Sequence, residues 1–238
     1  MDDSPGVNTG GGANVAGDVA TGGGDFVGRD NIVNVFADVE ALQEMVSVLQ
    51  GARVRLAAQS PADGLDALET VLDEISKVHT LIESELVRYL SLSFDPAGDI
   101  LSERASLVAM EGGAVQARAS EARGHCHKID AIYRKQLRGW FQSSLSPEEF
   151  ALVDSAFDRL GTADVSMIYT LDQLAAWLAG RAVETLDLVD AGSFDAANKL
   201  VREARRAALP LRQAMAQSMV EMRNLQAELI AASAAKSD

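Results

Sequence analysis

Apolar residues follow a regular spacing from Ile100 to Phe141. Counting from Leu101, apolar or small side chains recur at alternating steps of four and three residues. This spacing places them on one stripe of a helix, as at the seam of a coiled coil. The stripe consists of Leu101, Ala105, Val108, Gly112, Val115, Ala119, Ala122, Cys126, Ile129, Tyr133, Gln136 and Trp140. The pattern predicts a single helix of about 42 residues, roughly 60 Å long.

Similar spacing predicts five further helices. They cover residues 37–58, 62–92, 147–161, 163–189 and 194–232. Ser146, Pro147 and Glu149 supply an N-cap, a proline at the first helical position and a capping-box glutamate. Pro210 is expected to kink the last helix. Because the connecting segments are short, we predict a mainly α fold: an elongated antiparallel bundle of about six helices, several of them very long.

The first 36 residues differ in composition from the helical part and contain a repeat. Residues 7–18 and 19–30 align at an offset of 12, with seven of twelve positions identical, the glycine triplet among them. Each copy predicts a Gly-rich turn followed by a short strand with alternating side chains. We therefore divide the chain into a Gly-rich, β-forming leader at residues 1–36 and a long-helix bundle at residues 37–238.

Two interpretations of this leader remain open. Two such units bury too little surface to fold alone, because repeat folds need about three stacked units. The leader is either disordered until it binds, as a glycine-rich chain can be, or it completes its sheet with copies from other chains. In the second interpretation, the oligomerisation residues are Val7, Thr9, Val15, Val19, Thr21, Phe26, Val27, Ile32, Val33 and Val35.

Part of the leader resembles a segment of known proteins. The stretch from Thr21 to Val33, with the sequence TGGGDFVGRDNIV, is similar to the Gly-rich leader of many uncharacterised bacterial proteins. Those proteins are often associated with effector modules of conflict and immunity systems. The resemblance implies a bacterial assembly or signalling context, and it does not extend into the helices.

Charge and composition exclude several classes of protein. A net charge of −14 argues against nucleic acid as a partner, because a phosphate backbone would be repelled. The single cysteine excludes an internal disulfide and fits a reducing compartment. The sequence shows neither a signal-peptide pattern nor an uncharged apolar run of about 18 residues. We therefore expect a cytoplasmic protein, for which a membrane is a less favoured partner.

Four histidine and cysteine positions are candidates for chemistry. His125 and His127 are two positions apart on a predicted helix, so their side chains point in different directions and do not share a metal ion. Cys126 falls on the apolar stripe and is expected in the core. His79 lies among leucines and is either buried with a hydrogen-bonding neighbour or a pH switch whose protonation loosens the bundle.

The last predicted helix is locally basic. Its cations are Lys199, Arg202, Arg205, Arg206 and Arg212. They form either a solvated face or a binding face for an acidic partner or an anionic lipid head group. We identify no catalytic residue, no metal ligand set and no cofactor site in the sequence.

Three hypotheses for function follow from these patterns. The leading one is a non-catalytic bacterial interaction protein that homo-oligomerises through its leader and binds a further protein, in a defence or signalling system. The second is a helical effector that is soluble until it inserts into a membrane, of the pore-forming or cell-death type. The third is an enzyme of an unrecognised type, which would require a pocket with convergent polar groups.

Overall fold

The computed structural model describes residues 39–61, 63–161 and 167–234. In this part of the chain the backbone is helical apart from short connections, and the mainly α prediction is confirmed. The leader, with its predicted strands and oligomerisation residues, lies outside the described residues.

Most helices match the predicted segments, but the predicted helix at residues 37–58 is interrupted at Ala52 and the one at residues 100–141 is divided into three. Residues 39–51 form α1, and the others are α2 (Arg53–Ala58), α3 (Gly64–Leu90), α4 (Ile100–Ala109), α5 (Val115–Ile132), α6 (Arg138–Ser144), α7 (Pro147–Gly161), α8 (Met167–Asp190) and α9 (Phe194–Ala234). Helix α9 has 41 residues and α3 has 27, which makes them roughly 60 Å and 40 Å long. Helix α9 continues through Pro210.

Two helix boundaries are fixed by the local chemistry that the sequence indicates. At the start of α7, the Ser146 amide donates to Glu149 Oε2 at 2.8 Å and the Glu149 amide donates to Ser146 Oγ at 3.3 Å. This reciprocal pair confirms the predicted capping box. At the end of α8, Gly192 adopts a φ of 71°, and its amide donates to the Val189 carbonyl. A residue with a Cβ rarely adopts that conformation, so glycine fits the turn into α9.

Most neighbouring helices are antiparallel, as predicted. Glu74 and Glu85 of α3 lie beside His125 and Arg118 of α5, respectively, so the residue numbers run in opposite directions. Helices α3 and α9 are related in the same way, and so are α8 and the consecutive helices α4 and α5. Apolar side chains from all of these helices form one continuous core.

Helix α1 departs from the antiparallel prediction. Gln43 donates to the Ala214 carbonyl and Gln50 donates to the Glu221 carbonyl, at the same sequence separation of 171 residues. A constant separation means that α1 and α9 run in the same direction. The fold is therefore a bundle in which the first and last described helices are parallel neighbours.

The predicted helix at residues 100–141 is broken, and its apolar stripe is only partly correct. Gly113 has a φ of 98°, within the wide turn Met110–Ala114, and a second wide turn occurs at Tyr133–Leu137. The predicted stripe is buried from Val115 to Tyr133, and Trp140 is also buried. The predicted positions Leu101, Ala105, Val108, Gly112 and Gln136 are exposed. Leu107, Met110 and Leu137, each fully buried, point into the core instead.

Candidate functional site

The outer side of α9 carries a row of exposed residues that includes four cations. They follow one another at steps of three and four, which places them on one face of the helix. We call this row the α9 outer face; it consists of Lys199, Arg202, Arg206, Leu209, Gln213, Ala216, Val220, Arg223 and Ala227. Leu209 is 50% exposed and Val220 is 56% exposed. Four cations in one row form a distinct surface in a chain of net charge −14, although exposed Asp195 lies one helical turn before Lys199 and Glu203 lies 3.8 Å from it.

Two of the five predicted basic residues have structural roles instead. Arg205 donates from Nε and Nη2 to the carbonyl of Leu90, the last residue of α3, where no intrahelical donor is available. Arg212 binds Glu83 of α3, with Nη2 2.7 Å from Oε1. This hydrogen bond raises the pKa of Arg212 above its ordinary value. Both arginines therefore hold α9 against α3.

The other three predicted residues lie on the α9 outer face. Lys199 is 3.8 Å from Glu203, a weak and exposed ion pair, and Arg202 and Arg206 extend the row along the helix. Sequence reasoning missed Leu209, Val220 and Arg223. Their signal was present, because they continue the three-and-four spacing of the predicted cations. Arg223 also lines a groove beside Glu69 and Asp73 of α3.

A buried carboxylate joins α3 to α5. Glu74 is 1% exposed, and its Oε1 lies 2.9 Å from Lys77 Nζ and 2.6 Å from Lys128 Nζ. Its Oε2 lies 2.5 Å from His125 Nδ1. Burial by itself would raise the pKa of Glu74, but the hydrogen bonds from Lys128, His125 and Lys77 outweigh it and lower the pKa to about 2. The carboxylate is therefore ionised at neutral pH and fixes the two helices together.

In the segment from His125 to His127, the central residue Cys126 lies in the core, as the sequence predicts. Cys126 is fully buried in the core, and His125 turns toward Glu74 while His127 is exposed. Within residues 39–61, 63–161 and 167–234, no group of three histidine, cysteine or acidic side chains is arranged to hold a metal ion.

His79 is buried as expected, but the expected hydrogen-bonding neighbour is missing. Its side chain is fully buried, and neither ring nitrogen has a hydrogen-bond partner in the described part of the chain. Burial lowers the pKa of His79 to about 4, because the charged ring cannot be hydrated there. His79 is thus a neutral core residue at pH 7, and protonation opposes folding.

An aromatic and acidic cluster attaches α7 to the end of α5. The rings of Tyr133 and Phe157 stack with centroids 3.9 Å apart. The Tyr133 hydroxyl donates to Asp154 Oδ1 at 2.5 Å, and Arg138 binds both oxygens of the same carboxylate. The guanidinium of Arg138 lowers the pKa of Asp154. These contacts position α7 and leave the carboxylate fully occupied.

A shallow apolar cleft, open to solvent and with an accessible volume of only about 20 Å³, lies between α3, α5 and α8. Its walls are mainly aliphatic, including Ile82, Val115 and Leu178. Its charged lining residues, Glu85 and Arg118, are 3.9 Å apart. The cleft begins beside the first turn of α5, next to the kink at Gly113.

Comparisons with known proteins identify no relative of this chain. No protein-family model, no curated protein and no solved structure matches it. Among the described helices, none is both long enough and apolar enough to cross a membrane.

Proposed function

We propose that this chain is a non-catalytic interaction protein. Its helical body binds an acidic partner protein through the α9 outer face, and its leader, residues 1–36, joins several copies. The observation that carries the proposal is the row of exposed cations and aliphatic side chains on α9, in a chain of net charge −14. The resemblance of the leader to those of bacterial conflict systems suggests a defence or signalling context.

The layout of the α9 outer face favours a helix as the bound element. Three cations lie at one end, one at the other, and Leu209 and Val220 lie between them. A helix with an apolar centre and acidic ends complements this row, since helices pair through side chains at steps of three and four. The row spans about 42 Å along α9, long enough for several turns of a partner.

Binding through a single face of this kind is weak. Each exposed ion pair contributes about 0.2–1 kcal/mol, and two half-exposed aliphatic side chains add a few kcal/mol at most. Joining several copies raises the overall affinity, because the second contact becomes intramolecular. Leader-driven assembly would therefore make a weak α9 contact effective.

Photo-crosslinking in the producing cells tests the α9 contact. A photoreactive amino acid replaces Val220 on the α9 outer face or, as a control, Leu152, which is 42% exposed on α7. We expect a protein adduct from position 220 that disappears when Arg202→Glu and Arg206→Glu are combined. Adducts with lipid would contradict the proposal, and so would protein adducts that persist in the variant carrying both Arg202→Glu and Arg206→Glu.

Deletion of residues 1–36 tests the assembly step separately. Light scattering measures the mass of the full chain and of the truncated chain at the same concentration. We expect the full chain to form an oligomer and the truncated chain to have a smaller mass. Equal masses would refute assembly through the leader. They would not affect the proposed α9 contact, which the crosslinking experiment tests independently.

A further inference from the structure

Helix α4 has two apolar faces, of which the core uses one. Leu107 and Met110 are fully buried. On another face of the same helix, Leu101 is 80% exposed and Val108 is 42% exposed. Ala105, between them on this second face, is also exposed. Two such faces on one short helix mean that a rotation of the helix could exchange them.

The exposed apolar face of α4 continues the heptad spacing of the buried apolar stripe of α5. Leu101, Val108 and Val115 are separated by seven residues each, and Val115 begins the buried stripe of α5. On a straight helix with a coiled-coil seam, residues seven apart lie on the same line. Leu107 and Met110 would then point roughly 100° and 150° away from that line. The buried face of α4 therefore fits the core only because the helix is kinked.

The heptad spacing of the buried residues is interrupted at Gly113. Its φ of 98° lies in the left-handed region, where L-residues other than glycine rarely occur, and the turn Met110–Ala114 is wider than an α-helical turn. A Cβ built on Gly113 or on Gly112 meets no atom within 4 Å. An alanine at either position therefore has room for its methyl group, and at Gly113 the cost of the substitution is the left-handed φ alone.

We propose that α4 has two packed states, related by rotation of the helix about its own axis at Gly113. In the kinked state, Leu107 and Met110 are in the core. In the straight state, Gly113 is helical, and Leu101, Ala105 and Val108 replace those two side chains against α3 and α8. The switch changes which apolar residues of α4 face solvent, and thus the surface that this end of the bundle presents to a partner.

The surroundings of α4 are consistent with such an exchange. The kinked state is held at the surface by Arg104, whose Nε and Nη2 bind the two carboxylate oxygens of Asp190 on α8 at 2.7 and 3.0 Å. Both side chains are nearly half exposed, so the pair is easily broken.

Thiol labelling of the full chain distinguishes the two states. Leu101→Cys and Leu107→Cys are made separately, and the native Cys126, fully buried, gives the background rate. With Gly113 intact, we expect the thiol at position 101 to react fast and the thiol at position 107 slowly. Gly113→Ala disfavours the left-handed conformation and should increase the rate at position 107 about tenfold, while slowing position 101.

Gly112→Ala is the matched control. It adds the same methyl group one residue earlier, at an exposed glycine whose φ is not left-handed, and should leave both labelling rates unchanged. If Gly113→Ala preserves the helical circular dichroism and both parent rates, α4 has a single state and the proposal is wrong. Equal changes in the two alanine variants would also overturn it.

A second measurement applies if Gly113→Ala does not fold. Labelling of the Leu107→Cys variant is followed at increasing, sub-denaturing urea with Gly113 intact. Rotation of α4 exposes little surface, so its rate should hardly depend on urea, and Asp190→Asn should accelerate it. A rate that rises with urea as steeply as global unfolding would show that position 107 is exposed only in the unfolded chain, which would overturn the proposal.

Discussion

Substitution of Glu74 by glutamine would remove the buried negative charge between α3 and α5 and keep the side chain's size. Burial opposes ionisation of Glu74, but the hydrogen bonds from Lys128, His125 and Lys77 lower its pKa from 4.5 to about 2. Such a shift corresponds to about 3 kcal/mol of folding free energy. Because both lysines are about half exposed, solvent screens them. We therefore expect Glu74→Gln to lower the free energy of unfolding at pH 7 by about 1.5–3 kcal/mol.

The same cluster predicts a pH dependence with a definite sign. The folded-state pKa of Glu74 lies below its value of 4.5 in the unfolded chain, so the unfolded chain binds the proton more readily. The stabilisation is complete above pH 4.5 and is lost as the pH falls toward 2. Urea unfolding followed by circular dichroism should show a difference between parent and Glu74→Gln at pH 7 that shrinks at pH 3.

Glu69→Gln provides the matched control. Glu69 is an exposed glutamate on the same helix, and its substitution should change the free energy of unfolding by less than about 0.5 kcal/mol at either pH. A Glu74→Gln protein as stable as the parent at pH 7, or a difference that is the same at pH 7 and pH 3, would refute the reasoning about the cluster.

Three further substitutions test other parts of the structure. His79→Leu removes two unpartnered buried nitrogens and should stabilise the protein by about 1–3 kcal/mol at pH 7. The parent should lose stability as the pH falls from 6.5 to 4 by protonation of His79, and the variant should lack that contribution. Tyr133→Phe keeps the ring stack but removes the hydrogen bond to Asp154, at a cost of about 1–2 kcal/mol. Gly161→Ala places a Cβ 2.7 Å from Asp130 Cβ and should cost about 1–3 kcal/mol.

Urea unfolding at pH 7 measures all three, and each has its own contradicting result. For Gly161→Ala the control is Gly124→Ala, whose Cβ meets no atom within 4 Å and which should be neutral or stabilising by about 0.5–1 kcal/mol. Equal effects of the two alanines would show that the contact at Asp130 is not tight. An unchanged midpoint for Tyr133→Phe, or an unchanged pH slope for His79→Leu, would show that the hydrogen bond or the buried ring contributes nothing.

The helices were predictable because their signals are local. The capping box at Ser146 and the buried stripe of α5 depend only on residues within a few turns of each other. The kink at Gly113 was not predictable from spacing, because Leu101 and Val108 are in perfect phase with α5. Only the packing of Leu107 and Met110 against the neighbouring helices shows which of the two faces of α4 the core uses.

The roles of individual charges were less predictable than the helices. Arg205 and Arg206 are adjacent in a locally basic stretch, yet one caps α3 and the other faces solvent. Glu74 depends on His125, which is 51 residues away, so its partners follow from how α3 and α5 are aligned. The spacing of residues within one helix does not predict which residues of a second helix will lie beside them.

The parallel pairing of α1 with α9 has a consequence for how the chain acquires its structure during synthesis. Gln43 meets its carbonyl partner on α9 only after 171 further residues have been made. Until then the apolar side of α1, including Leu42 and Val46, lacks part of its cover, although both residues are fully buried in the finished molecule. A ribosome-bound nascent chain therefore carries an adhesive amphipathic helix for most of its translation, and premature termination before α9 should yield an aggregating product.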